Sequence, residues 1–508
     1  MTLRKSLGAG STLGVLLLVA GCAVGPDFQP PSSPPVTGYT PEPMTDLTAA
    51  APTRGGETQH FNNGQDIPGQ WWDLFRSPEL ERLVRQALDA NPDLKAAQAA
   101  LRQAQETAIA QGGILLPSLD GSFSNSRQRV PGAQAGRSGS SSIYTLSTAS
   151  LNLSYDLDIF GGDRRAVEAA EAAADYQRFQ TEATELTLTA NVVSAALTEA
   201  SLRGQIAATQ EIIEAETEQL EVVRRQFTLG GVSQADVLAQ ESTLAQTRAS
   251  LPALEKQLAQ IRNRLTMLAG RYPSQEVSET FDLAKLVLPQ ELPVSLPSAL
   301  VRNRPDIRAA EAALHQANAQ LGVAIANQFP KFTLSAAWGS SAGGVDGLFA
   351  SNAASLWTLS SGVTQPIFHG GTLEHQRRAA EAGLDKSLAQ YQSTVLKAFQ
   401  DVADALRALT SDAEALKAQL AAERSAAESL ALSRSQFAAG AISYLTLLNA
   451  ERTYQEARIL LVQAEAARFT DTVGLFQALG GGWWNRAQMA DGGPAAASST
   501  PTPGDGAH

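Results

Sequence analysis

The hydrophobic positions of this chain recur every seven residues over stretches far longer than a compact domain uses. Downstream of Gly162 a helix-compatible pattern runs to Leu229 without a proline, with Ile206, Ile213, Leu220 and Phe227 in register. Ala183, Leu186, Ala190, Val193 and Leu197 alternate by three and four before it. After Gly230-Gly231 the heptad restarts at Val237, Leu244, Leu251, Leu258 and Leu265. Nearer the C-terminus Leu447, Tyr454 and Leu461 keep the spacing, Arg468 interrupts it, and Leu475 falls back in step. A sustained heptad predicts helices that wind along one another. At ~1.5 Å per residue the longest such helix is a rod of roughly 100 Å. Each rod folds back at glycine, Gly230-Gly231 in one case and Gly440 in the other, with Ser233 and Ser443 placed to cap the returning helix.

A second period, of two residues, marks four strands. Leu151, Leu153, Tyr155, Leu157 and Ile159 alternate with Asn152, Ser154, Asp156 and Asp158, and Leu119 and Phe123 alternate with Ser118, Asp120, Ser122 and Ser124. Phe332, Leu334, Ala336 and Trp338 alternate with Lys331, Thr333 and Ser335; Trp357, Leu359 and Val363 alternate with Thr358, Ser360 and Thr364. Gly/Ser-rich loops join them into two hairpins. Strands of about ten residues with one apolar and one wet face suit a tilted passage through a bilayer. Edges cannot stay unpaired in lipid, and four strands are fewer than the roughly eight a barrel needs. The sheet is therefore expected to close with copies of itself. Two chains give eight strands and a filled interior; three give twelve and an open lumen, and three is the favoured count.

The two patterns occur twice. Residues 91–117 overlay 304–330 without a gap, with ten of twenty-seven positions identical, and residues 225–241 answer 435–451 at an offset of 210. Each copy reads helix (77–112 in the first), strand, strand, long helix, turn, helix: one unit built in tandem. The predicted fold class is mainly α with a membrane β-barrel. The expected divisions are a signal at 1–21, a tether at 22–69, a first repeat at 70–272, an equatorial linker at 273–296, a second repeat at 297–479 and a disordered tail at 480–508.

Composition adds the ends and excludes some partners. Arg4 and Lys5 precede the apolar Leu13–Ala20, a secretory signal too short to span a bilayer with ease. It leads into Leu18-Val19-Ala20-Gly21-Cys22, which resembles a bacterial lipobox; Cys22, the only cysteine, is the expected lipidation site. Ala23 in place of Asp favours sorting to the outer membrane. A net charge of −12 and a pI near 5.1 argue against nucleic acid. PPSSPP and many Thr and Gly mark the tether, and DGGPAAASSTPTPGDGAH the tail.

These residues resemble the TolC-like outer-membrane factors, in their lipidated multidrug-efflux and nodulation-type branch. The resemblance is carried by Cys22-Ala-Val-Gly-Pro-Asp-Phe28, Trp71-Trp72 with Phe75 and Pro78-Glu-Leu80, Asn91-Pro92-Asp93, Arg304-Pro305-Asp306-Ile307, Gly362 to Gly371, and both tips. It implies a homotrimer with a twelve-stranded barrel in the outer membrane and a helical tunnel across the periplasm. It also implies a collar from about 70–78, 272–300 and 470–485. An inner-membrane pump, proton-driven or ABC-type, and a periplasmic adaptor are the implied partners, with outer-membrane lipid around the barrel and no cofactor. Asp236 matches an acidic residue that helps hold the first hairpin closed; a solvated carboxylate at a helix start explains it equally well. Leu445, Thr446 and Asn449 fall where the family narrows its periplasmic mouth. Relatives often carry Asp at the last of these, some at both polar positions, so the strong cation selectivity of an acidic ring is not implied here. Gly230, Gly231, Val232, Gly440, Ala441 and Ile442 are the expected adaptor contacts, though turn formation alone also accounts for them.

The expected function is a passive outer-membrane exit for small toxic compounds. The same fold in type I protein secretion is the alternative, and a spacer lipoprotein of coiled-coil type a weaker one, since a spacer has no use for amphipathic strands. An enzyme is not expected: the five histidines, at 60, 315, 369, 375 and 508, have no metal or triad spacing.

Overall fold

The computed structural model describes residues 23–42, 45–131, 141–350 and 354–486. The signal at 1–21, Cys22 and residues 487–508 of the tail lie outside the described residues. Two compact units form, and neither coincides with a repeat copy. One comprises residues up to Tyr39, Gln86–Thr189 and Pro297–Ala403; the other Thr40–Arg85, Ala190–Leu296 and from Asp404 onward. Each draws on both copies because the long helices run from one unit into the other.

The elements are β1 (His60–Asn63), α1 (Pro78–Ala90), α2 (Pro92–Gly112), β2 (Ser118–Val130), β3 (Ser142–Leu157), α3 (Gly162–Thr228) and α4 (Gln234–Leu268). The second copy follows with β4 (Glu291–Val294), α5 (Pro297–Asn303), α6 (Pro305–Ala326), β5 (Lys331–Ala342), β6 (Ala354–Thr364), α7 (Thr372–Ala438) and α8 (Tyr444–Ala478). The duplication is kept to the residue: α3 and α7 are both 67 residues long, α4 and α8 both 35.

The helix expected over 77–112 is two helices. Asn91 precedes a proline, which disfavours the helical backbone there, and it is extended at φ −60°, ψ 126°. Its side chain accepts from the Asp93 and Leu94 amides, capping α2. Arg304, before Pro305, makes the same break at φ −66°, ψ 125°. Its guanidinium spans Asp306 on α6 (2.9 Å), the Ala398 carbonyl (3.2 Å) and Asp401 (2.5 Å) on α7. Both X-Pro-Asp motifs are thus helix starts.

The tether is anchored for much of its length. In the first unit the Val24 amide donates to the Phe160 carbonyl (2.9 Å), Arg165 pairs with Asp27 (2.6 Å), and the Phe28 ring stacks on His315 at 4.3 Å. A Cβ on Gly25 would come within 2.8 Å of the Gly322 Cα, so this approach needs glycine. In the second unit β1 pairs in parallel with β4, and Gln59 bonds Thr472 and the Pro289 carbonyl, both at 2.9 Å. The tail expected from 480 begins with order: Trp483–Asn485 is a turn of 3₁₀-helix, and Asn485 donates to the Ile67 carbonyl at 2.8 Å. The core of this unit is aromatic, Trp71 against Phe476 and Phe75 against Phe469.

The heptad marks the buried seam unevenly. Leu220, Leu244, Leu265, Leu447, Leu461 and Leu475 are buried, but Phe227 is exposed. Arg468, read as an interruption, lies in the seam itself and is fully buried.

Candidate functional site

In the first unit, the four long strands form one antiparallel sheet in the order β2-β3-β5-β6. They are 13, 16, 12 and 11 residues long, each enough to cross a bilayer at a tilt. The β3–β5 register brings the two hairpins into phase. Leu119, Leu153, Ala336 and Leu359 line up across all four strands, as do Gly121, Leu151, Trp338 and Trp357. The neighbouring rows are Ser118, Ser154, Ser335 and Ser360, and Asp120, Asn152, Ala337 and Thr358. One face is therefore apolar and the other polar from edge to edge. The apolar face is uncovered: Trp338 is 66% exposed, Trp357 76% and Leu359 67%. A patch of that kind is out of place in water and at home in lipid. The outer sides of β2 and β6 have no strand partner among the described residues.

A face-specific result follows. Leu359→Arg should cost about 2–4 kcal/mol of insertion energy if it meets the bilayer midplane, whereas Thr358→Arg, one residue away on the wet face, should cost far less. Folding titrations into lipid vesicles measure both; equal losses would reject the assignment of faces.

In the second unit the chain turns twice, and the turns are built alike. The Gly231 amide bonds the Gln226 carbonyl (2.8 Å) and Gly230 bonds Phe227 (3.0 Å); Ala441 and Gly440 bond Gln436 and Phe437, both at 2.9 Å. That is the paired C-terminal motif that calls for a left-handed residue, and Gly230 and Gly440 have φ of +81° and +71°. Ser233 then caps α4, and Asp236 returns its carboxylate to the Ser233 amide (2.9 Å) and hydroxyl (2.8 Å), a reciprocal capping box. Ser443 caps α8, where Thr446 occupies the place equivalent to Asp236 and offers only a hydroxyl, 3.0 Å away. Of the residues expected at a constriction, Leu445, Thr446 and Asn449 are all exposed and lie within one turn of each other, while Tyr444, Leu447 and Leu448 point inward. Val232 and Ile442 are half-covered; Gly230, Gly231, Gly440 and Ala441 are open.

The heptad reading missed a polar cluster just inboard of these turns. Glu216 of α3 and Glu451 of α8 are each only 3% exposed. One Glu216 oxygen accepts from Thr247 (3.1 Å) and from Gln455. Gln240 donates to the Glu216 backbone carbonyl (3.2 Å) and accepts from the Tyr444 hydroxyl. Among the described residues, none lies within hydrogen-bond distance of the second Glu216 oxygen or of either Glu451 oxygen. Burial, with Glu216 nearby, pushes the Glu451 carboxyl up to about 7 against the opposing pull of Arg434. Glu216 is also raised by burial. The available signal was charged residues standing at inward positions of otherwise amphipathic helices.

An open sheet with one lipid-compatible and one wet face, carried on long paired helices, defines a subunit of an outer-membrane channel. Residues 83–271 and 296–481 match the sequence profile of the outer membrane efflux protein family, once in each copy. The chain belongs to that family. It is 32% identical to the pyoverdine export outer membrane protein OpmQ of Pseudomonas putida over 449 residues, 87% of this chain and 94% of that one. It is 30% identical to the toluene efflux pump outer membrane protein TtgC of Pseudomonas putida, over 93% of this chain and 95% of that one. Among solved structures it is similar to the outer-membrane channel OprN, with a TM-score of 0.82, 27% identity and coverage of 91% and 100%. It is also similar to the open state of the Neisseria gonorrhoeae MtrE outer membrane channel, with a TM-score of 0.77, 28% identity and coverage of 91% and 99%. The protein is an outer-membrane efflux channel of the TolC-like fold, in which chains share a barrel and continue it as a helical tunnel; the family's members are channels and not enzymes.

Proposed function

We propose that three copies close a twelve-stranded barrel and conduct small toxic compounds passively from an inner-membrane pump and a periplasmic adaptor to the outside. The observation that supports this is the sheet: four strands cannot close alone, both margins require partners in lipid, and twelve strands leave an open lumen where eight leave a filled one. The chain does no chemistry on its cargo. Leu445, Thr446 and Asn449 form the periplasmic constriction, with Asp236 stiffening the neighbouring hairpin through its capping box. The exposed turns at Gly230-Gly231-Val232 and Gly440-Ala441-Ile442 are the adaptor contacts. Images of detergent-solubilised particles test the stoichiometry directly: threefold particles with a continuous tunnel support it, and monomers or dimers reject it.

Cys22 carries the lipid anchor. Cys22→Ser is expected to abolish incorporation of labelled palmitate while leaving helix and strand content unchanged; label retained in the serine variant would refute the anchor.

A further inference from the structure

The buried carboxylates above the turns sit in a setting that accounts for only one negative charge. A cavity of about 200 Å³ lies between the helices, lined among others by Glu211, Glu216, Arg434, Glu451, Tyr454 and Arg458. From α7, Arg434 approaches Glu451 at 3.7 Å, beyond hydrogen-bond reach, and is itself 44% exposed. From α8, Arg458 faces Glu211 on α3 at 3.8 Å and not Glu451. From α4 come the neutral Gln240 and Thr247, with Arg248 and Asp236 as more distant charges acting on Glu216 and Tyr444. Glu216 has two hydrogen-bond donors to support its charge; Glu451 has only the Arg434 guanidinium at 3.7 Å. Both of its oxygens are buried.

We propose that Glu451 is a proton-binding site that pins the two helical hairpins together just above their turns, closed when protonated and loosened when ionised. Two hydrogen bonds beside it join helices at this level: Tyr444 to Gln240 links α8 to α4, and Gln455 to Glu216 links α8 to α3; Arg434 of α7 pairs with Glu451 only in its ionised form. Ionising Glu451 adds a second buried anion beside Glu216; burial and Glu216 together outweigh the half-exposed Arg434 that pairs with it, and that net cost falls on these cross-links. The direction is fixed by the raised value. The folded chain holds its proton up to about 7, against an ordinary 4.5. This contribution to packing is complete below the ordinary value, declines as pH rises, and is gone above about 7. Its consequence for the mouth rests on placing the constriction at Leu445; the titration itself does not.

Asp471, further along α8, is also raised to about 7, by burial and by its hydrogen bond to Asp412. A global melting curve would mix the two groups, so a local reading is required. The test is hydrogen exchange of the turn amides in the full-length protein between pH 6 and 8.5, corrected for intrinsic rates. The wild type should exchange on the order of tenfold faster at the alkaline end. Glu451→Gln, permanently neutral, should hold the slow rate throughout, and Asp471→Asn should keep the wild-type profile. Arg434→Gln, which removes only a partly exposed cation, should move the midpoint to higher pH. A flat wild-type profile, a midpoint unmoved by Arg434→Gln, or an unchanged pH dependence in Glu451→Gln would overturn the proposal. Conductance of the same variants in planar bilayers reads the channel separately, so a protein that titrates without gating retains the site and loses only its link to the mouth.

Discussion

Leu445→Ser should give a protein whose single-channel conductance in planar bilayers is clearly above that of the wild type. Leu445 occupies the first turn of α8 and is 64% exposed in the single chain. Its neighbours Tyr444 and Leu447 are buried, at 4% and 0%, so the turn is held by packing and the leucine cannot fold inward. In the proposed trimer three such side chains would surround one axis as an apolar ring, and narrow apolar rings exclude water and ions by dewetting. A hydroxyl in their place lets water persist. Lowering the barrier by only ~1.4 kcal/mol raises the rate of passage about tenfold. Asn449→Asp, one turn further on, should change selectivity more than conductance, because three carboxylates would then face the same path. Identical conductance in Leu445→Ser and wild type would place the constriction elsewhere.

Arg468→Ala should be the most damaging single change to stability, at about 4 kcal/mol per chain, the sum expected from lost charge-assisted bonds and abandoned buried carbonyls. The guanidinium donates to the Leu409 carbonyl (2.8 Å), Thr48 Oγ1 (3.1 Å), the Gly55 carbonyl (3.3 Å) and the Glu57 carbonyl (3.4 Å). It is the peg on which residues 48–57 hang. Arg468→Lys should recover part of the loss at best, because one ammonium cannot span acceptors spread over such a fork. Arg468→Leu is the sharper comparison. It perfects the heptad and should still destabilise, since leucine gives the carbonyls nothing. Denaturant titration, with protease sensitivity of residues 45–58 as the local reading, decides it; a stabilised leucine variant would show that periodicity outweighs these bonds.

That contrast separates what was legible in the sequence from what was not. Periodicity is a sum over many residues, so it gave the long helices, the four strands and the repeat, whose offset of 210 reappears in helices of equal length. Turn chemistry was equally local: Gly230, Gly440, Ser233 and Ser443 do what their residue types allow. The helix breaks at Asn91 and Arg304 were local too, written in Pro92 and Pro305, but apolar spacing alone reads through them. Two things depended on distant partners and stayed hidden. Residues 45–69 look like linker by composition, yet they find Arg468 and β4 through backbone groups and Thr472 through the Gln59 side-chain amide, pairings that composition does not record. The Glu216–Glu451 cluster reads as surface charge until the fold closes around it.

The seat of the N-terminal segment has a consequence for export. Val24 to Phe28 rest against Phe160 and Arg165, but also against Gly322 and His315, nearly three hundred residues later in the chain. With the proposed signal at 1–21, the chain delivers its own beginning across the inner membrane long before that seat exists. Through most of that passage this end has nowhere to settle, which leaves the cysteine proposed as the lipid site open to modification. Only when the second copy has emerged does the berth form for residues 24–28.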